Sequence, residues 1–133
     1  MQSSQPTEKP AWKVFLADDD EDTRLLMSSA LRRAGFVVVE ASNGVELVES
    51  VTRDRTSHVL VISDVGMPEL DGIAAAQALR GARPSVPVLL VTAFGDSETL
   101  RRARAAGVKA VLAKPLDFAT LAHAANELAR AAS

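Results

Sequence analysis

A chain of 133 residues, 47% hydrophobic and 24% charged, has the size and balance of one globular domain with a real core. It has no cysteine, which excludes disulfides and thiolate metal sites, and its formal net charge of -2 gives no global case for nucleic-acid or membrane binding. No apolar run approaches the roughly 20 residues that span a bilayer, and the polar stretch Met1 to Pro10 lacks the apolar centre of a signal peptide.

Residues 1–11 are expected to form a disordered tail ahead of a single domain over residues 12–131. Lys13 to Ala17 reads as the first strand, and the acidic loop Asp18-Asp19-Asp20 follows it. A helix is predicted from about Glu21 to Ala34, with Leu25, Leu26, Ala30, Leu31 and Ala34 on its apolar face and Gly35 as its stop. Phe36 to Glu40 reads as a second, short strand. Asn43-Gly44-Val45-Glu46 resembles a capping box that opens a second helix, with Leu47, Val48 and Val51 inward.

Val59-Leu60-Val61-Ile62-Ser63-Asp64 is the third strand. Its apolar run lacks polar alternation, as a strand covered on both faces should. Gly66, Pro68 and Asp71-Gly72 force a loop after it, and Ile73 to Leu79 carries a third helix. A fourth strand ends at Thr92. Ser97 is the expected cap of a fourth helix that runs to Ala106 and stops at Gly107. A fifth strand ends at Ala113, and Asp117 caps a last helix with Leu121, Ala124, Ala125 and Leu128 inward. Five βα units with short connections predict an α/β fold, a single doubly wound five-stranded parallel sheet. The flavodoxin-like strand order 2-1-3-4-5 is expected.

In such a sheet, ligands bind beyond the carboxyl ends of the strands. Here those ends carry Asp18-Asp19, Asp64, Thr92 and Lys114. Several carboxylates, one hydroxyl and one ammonium suit a divalent cation and a phosphoryl group. A carboxylate at the mouth of an apolar strand is costly unless something compensates it. Blander roles fit other residues: Asp20 and Asp22 as acids at a helix N-terminus, and Asp71 as a cap. His58 reads as a strand-edge residue and His123 as a helix-surface residue. Arg101, Arg102, Arg104 and Lys109 make a basic patch around the fourth helix.

Taken together, Asp18-Asp19, Asp64, Met67-Pro68, Asp71-Gly72, Thr92-Ala93 and Lys114-Pro115, in this order and at these strand ends, resemble the receiver domains of two-component response regulators. The match runs from about Trp12 to Ala131, and receivers are a known example of the 2-1-3-4-5 order. The resemblance implies that Asp64 is the phosphoacceptor, taking a phosphoryl group from a phosphohistidine of a sensor histidine kinase or a histidine phosphotransfer protein. It implies Mg²⁺ on Asp18, Asp19, Asp64 and the Gly66 carbonyl. Thr92 would hydrogen-bond the phosphoryl group, Lys114 would pair with one of its oxygens, and the Lys114-Pro115 bond would be cis. It further implies a cytoplasmic switch rather than a turnover enzyme, which acts through its helix 4–strand 5–helix 5 surface on a downstream effector protein or domain. Homodimerisation linked to phosphorylation is plausible for the family; direct nucleic-acid or membrane binding by this domain is not expected.

Two positions depart from the family. Val111 stands where receivers often carry Tyr or Phe, so signalling is expected through backbone and fourth-helix shifts, or through Phe94. Gly66 and Phe94 flank the acceptor without a polar side chain to orient water, so a phosphorylated form that is not specially short-lived is expected. A phosphohydrolase of the haloacid dehalogenase type is the rival of another class. It would place its nucleophile in the first acidic loop, but Asp22 falls where that family has Thr or Val, and Asp64 would be left without a role. A phosphorylation-independent docking domain is a third reading, and the full acidic set argues against it.

Overall fold

The β-branched and aliphatic runs form the strands, and the alanine- and leucine-bearing stretches between them form the helices. The structure is a computed structural model and describes residues 11–93 and 95–132. In chain order it contains β1 (Lys13–Ala17), α1 (Glu21–Arg33), β2 (Val37–Ala41), α2 (Gly44–Arg53), β3 (Val59–Asp64), α3 (Gly72–Ala82), β4 (Val88–Thr92), α4 (Ser97–Ala105), β5 (Ala110–Ala113) and α5 (Phe118–Ala132). All pairings are parallel, in the order β2-β1-β3-β4-β5. The expected tail lies outside the described residues, apart from Ala11, and so does Phe94.

Strand alternation divides the core in two. Phe15, Val61 and Leu90 point to the face covered by α2, α3 and α4, where they meet Leu47, Val51, Ile73, Leu79 and Ala103. Val14, Leu16, Leu60, Ile62, Leu89 and Val91 point to the other face and meet Met27 and Leu31 of α1 and Leu121, Ala125 and Ala129 of α5. Each fully buried Leu or Ile contributes about 1.5–3 kcal/mol relative to exposure. β3, central and buried along its whole length, is firmly held, as is its neighbour β4. Among the described residues, no helix is long and apolar enough to cross a membrane.

Short polar side chains start the helices. Asp20 accepts from the Thr23 N–H, Asn43 from Glu46 and Asp71 from Ala74, at 2.8–2.9 Å. The Glu46 side chain reaches back to the Ser42 N–H at 2.7 Å, one residue earlier than a standard capping box would place it. Gly35, at φ 101°, ends α1 in the left-handed region, as expected of a helix stop.

Two expectations are corrected. The cap of α4 is Asp96, whose carboxylate accepts from the Thr99 N–H at 2.7 Å; Ser97 is the first helical residue. The inward stripe of α1 is Met27, Ser28, Ala30 and Leu31, whereas Leu25 and Leu26 are 49% and 56% exposed and Ala34 is exposed. Met27 and Leu31 at i, i+4 meet the sheet, which rotates Leu25 and Leu26 out toward solvent. His123 lies on the surface of α5, as expected. His58 sits just before β3 at φ 64°, its ring edge-on to Trp12 at 5.1 Å.

Candidate functional site

Asp64 is the last residue of β3 and is 7% exposed. The two strands beside β3 deliver the other groups. β1 ends one residue before Asp18, which is wholly buried, and exposed Asp19 follows. Across β3, β4 pairs Val91 with Asp64, so Thr92 lies at the next step, 3% exposed. β5 ends at Ala113, opposite Thr92, and the Lys114 N–H donates to the Thr92 carbonyl at 2.8 Å, which extends the ladder by one bond and turns the lysine over the cleft. The Lys114-Pro115 bond is cis.

The Lys114 ammonium reaches Asp64 Oδ1 at 3.4 Å and Asp18 Oδ2 at 3.6 Å. Asp18, Asp19 and Asp64 each turn one carboxylate oxygen into a cluster in which these atoms all lie within 4.8 Å of one another. Burial pushes the Asp64 carboxyl above its ordinary value; Lys114 opposes this, and the neighbouring charges of Asp18 and Asp19 add to it. Burial by itself would lower the Lys114 ammonium, but the Asp64 and Asp18 carboxylates outweigh it and hold the group above its ordinary value. One ammonium thus pairs with two of the three clustered carboxylates.

Asp18 shows most directly what the cleft lacks. Its N–H donates to the Ala41 carbonyl at 3.2 Å, and its Oδ1 accepts from the Asp20 N–H at 2.9 Å. Its Oδ2 is buried and has no hydrogen-bond partner, since Lys114 at 3.6 Å stands beyond hydrogen-bond range. An orphaned buried carboxylate oxygen among two other carboxylates is a donor set of hard oxygens, the kind that Mg²⁺ takes in octahedral geometry with several waters retained. The residues present fit such an ion.

Gly66 lies in the loop two residues beyond Asp64, and exposed Asp22 stands apart from the cluster. Asp20 caps α1, and hydrogen bonds from the Thr23 hydroxyl and N–H hold its carboxyl below the ordinary range. Asp71 caps α3. Two residues around the cleft, Ser63 and Arg24, escaped sequence analysis, and Gly72, read there as part of the loop, has a second role. Ser63 is buried, and its hydroxyl donates to the Asp64 carbonyl at 2.9 Å; a lone serine in an apolar strand is the signal it left. Gly72 allows close approach, because a Cβ there would stand 2.3 Å from the Asp64 carbonyl oxygen. Arg24 reaches back from α1 to the Asp18 carbonyl at 2.9 Å. Nothing in local spacing ties it to Glu40, its partner sixteen residues away.

Fold and site define a class: a five-stranded, parallel α/β domain whose sheet ends in an acidic cleft able to hold a divalent metal ion. The chain belongs to the response regulator receiver domain family, whose profile matches residues 14–126. It is 37% identical over 108 residues to the transcriptional regulatory protein ZraR of Escherichia coli O157:H7, an alignment that takes in 81% of this chain and 24% of ZraR. It is 26% identical over 106 residues to sporulation initiation phosphotransferase F of Bacillus subtilis, covering 80% of this chain and 84% of that protein. Among solved structures it is similar to the chemotaxis response regulator CheY4 of Vibrio cholerae, at TM-score 0.81 and 28% identity over 90% of this chain and 99% of that one. The chain spans about a quarter of the length of the ZraR relatives it matches. It is thus a receiver domain of the two-component kind, and receiver domains are by family signalling switches rather than classical enzymes.

Proposed function

We propose that the domain accepts a phosphoryl group on Asp64 from a phosphohistidine of a sensor histidine kinase or histidine phosphotransfer protein. The observation that carries this reading is the setting of Asp64: a buried carboxylate at the end of the central strand, facing Lys114 at 3.4 Å and clustered with Asp18 and Asp19. An Asp64 carboxylate oxygen attacks phosphorus in line with the departing ring nitrogen. The P–N bond breaks, its electron pair returns to the imidazole, and an acyl phosphate remains on Asp64.

Such a transfer depends mainly on positioning and on neutralising the equatorial oxygens. The Lys114 ammonium, already held over Asp64, supplies one of the charges and the Thr92 hydroxyl a hydrogen bond. Mg²⁺ bound by Asp18, Asp19, Asp64 and the Gly66 carbonyl would supply the remaining positive charge. Ionic pairing with Asp64 and Asp18 keeps Lys114 protonated for this task.

The switched surface in this reading is that of α4, β5 and α5, read by a downstream effector protein or domain, with a second copy of the domain as a further partner. Val111, half-buried in β5, has no aromatic ring to swing inward, so the change passes through backbone and α4. Phosphate favours one of two conformations that already exist. The domain proper is residues 12–131, working in the cytoplasm without direct contact to nucleic acid.

Intact mass after incubation with acetyl phosphate tests this, with and without Mg²⁺, for the natural chain and Asp64→Asn. A gain of one phosphoryl group that needs Mg²⁺ and is lost in Asp64→Asn is expected. No gain under any condition would overturn the reading and leave a phosphorylation-independent docking domain.

A further inference from the structure

The acidic loop after β1 is tied down by a residue outside it. Arg24 lies on the second turn of α1, its side chain only 15% exposed. Its Nε donates to Glu40 Oε1 at 3.0 Å and its Nη1 to the Asp18 carbonyl at 2.9 Å. Glu40 pairs in register with Leu16, two residues before Asp18, so it is fixed to the same sheet as the loop it helps to hold. Arg32, one face along α1, lies 3.8 Å from the other Glu40 oxygen and donates to the Val38 carbonyl at 3.2 Å. β2, α1 and the loop are thus joined through one guanidinium.

Asp18 is held by the Ala41 carbonyl on its N–H, the Asp20 N–H on its Oδ1 and Arg24 on its carbonyl. Of these, only the Arg24 bond comes from a side chain. The planar fork of arginine can serve two acceptors in fixed directions, which a lysine cannot reproduce. With Asp18 so fixed, its free Oδ2 stays aimed into the carboxylate cluster.

We propose that Arg24, braced by Glu40, is a positioning residue that preorganises Asp18 as a cation ligand. The proposal rests on the reading of the cluster as a Mg²⁺ site. Groups that orient metal ligands from behind typically change metal affinity 10- to 100-fold when removed. Simple charge arithmetic predicts the reverse sign: deleting a cation beside an acidic cleft should tighten Mg²⁺ binding. The direction of the effect therefore separates positioning from charge.

The test is calorimetric titration with MgCl₂ of the natural chain, Arg24→Met, Arg24→Lys and Arg32→Met, with thermal unfolding of each as a check on folding. Arg24→Met is expected to weaken Mg²⁺ binding about tenfold, Arg24→Lys to recover part of the loss, and Arg32→Met to bind as the natural chain does. Glu40→Gln leaves the guanidinium but weakens its brace, and it carries the test if Arg24→Met fails to fold; a smaller loss of affinity than in Arg24→Met is expected. Unchanged or tighter binding in folded Arg24→Met, or in Glu40→Gln if it alone folds, overturns the proposal. No Mg²⁺ binding by the natural chain overturns the metal reading instead.

Discussion

The two ends of the sheet handle charge in opposite ways. At the amino end, Lys13 and Asp54 form an ion pair at 2.6 Å with the carboxylate largely covered. Arg83 donates to the carbonyls of Val51, Asp54 and Thr56, which closes the chain between α2 and β3. At the carboxyl end, Lys114 pairs with Asp64 at 3.4 Å and Asp18 at 3.6 Å, Asp19 clusters beside them, and a buried Asp18 oxygen is left without a hydrogen bond. Two aspartates at opposite ends of the domain are thus driven in opposite directions. The hydrogen bond from Lys13, then that from Thr56, lowers Asp54 to about 2, while burial and like charges raise Asp64. The amino end pairs its charges and serves stability, whereas the carboxyl end gathers carboxylates that could hold a cation.

The sharpest way to break this contrast is steric. Gly72→Ala drives a methyl to 2.3 Å from the Asp64 carbonyl oxygen and 3.0 Å from the Val65 Cα, both backbone atoms that cannot step aside. A loss of about 3 kcal/mol in denaturant unfolding is expected, with phosphorylation by acetyl phosphate impaired in whatever fraction stays folded.

Asp54→Asn tests the completed end. It should cost about 1–2 kcal/mol at pH 7, the value of a charge-assisted bond lost to a neutral one. The sign with pH follows from a folded value near 2, below the ordinary 3.8. The contribution of Asp54 is in full force above about pH 4 and is lost as pH falls toward 2. Urea melts of the two chains should therefore converge over that window, and a constant gap would sink the assignment.

Asp64→Asn tests the unfinished end and should move the other way. A folded carboxyl held above its ordinary value favours folding at low pH and opposes it once pH rises through the folded value. Removing that charge should stabilise the metal-free domain at pH 7 by about 1 kcal/mol, while the proposed phosphorylation should be lost. A destabilised Asp64→Asn would show that Lys114 compensates the cluster better than the geometry suggests. The smallest expected effect lies in the β3–α3 loop. Glu69 is held at φ 71° in a three-residue turn closed by the Leu70 N–H on the Pro68 carbonyl at 2.8 Å. Glu69→Gly relieves that conformation and should be neutral or stabilising by up to about 0.5 kcal/mol in the same melts.

Strand ends were easy to read from the sequence because each apolar run stops at a polar or breaking residue, and a parallel sheet makes those stops converge. That logic places Asp18, Asp64, Thr92 and Lys114 together from the sequence alone. Helix faces were harder. In α1, Leu25 and Leu26 compete with Met27 and Leu31 for the inward stripe, and only the packing against Val14, Leu16 and α5 decides it. Ser28, buried beside Met27, disguises the true face by its polarity. The cap of α4 was missed by one residue because Asp96 and Ser97 are both good caps, and the choice rests on which side chain reaches the Thr99 N–H. The Arg24–Glu40 brace leaves only a faint trace, a lone acid in an apolar strand and a lone cation after an acidic loop.

The pair Lys114-Pro115 has a second consequence, at the rim of the sheet. β5 is an edge strand of only four residues, half-covered by its neighbours. An exposed edge is a template on which another chain can add a strand. Past Ala113 the ladder gains one last bond, from the Lys114 N–H to Thr92, and Pro115 then has no N–H to offer. The dipeptide that brings an ammonium to the cleft also ends this edge early and leaves one donor fewer on which a sixth strand could pair.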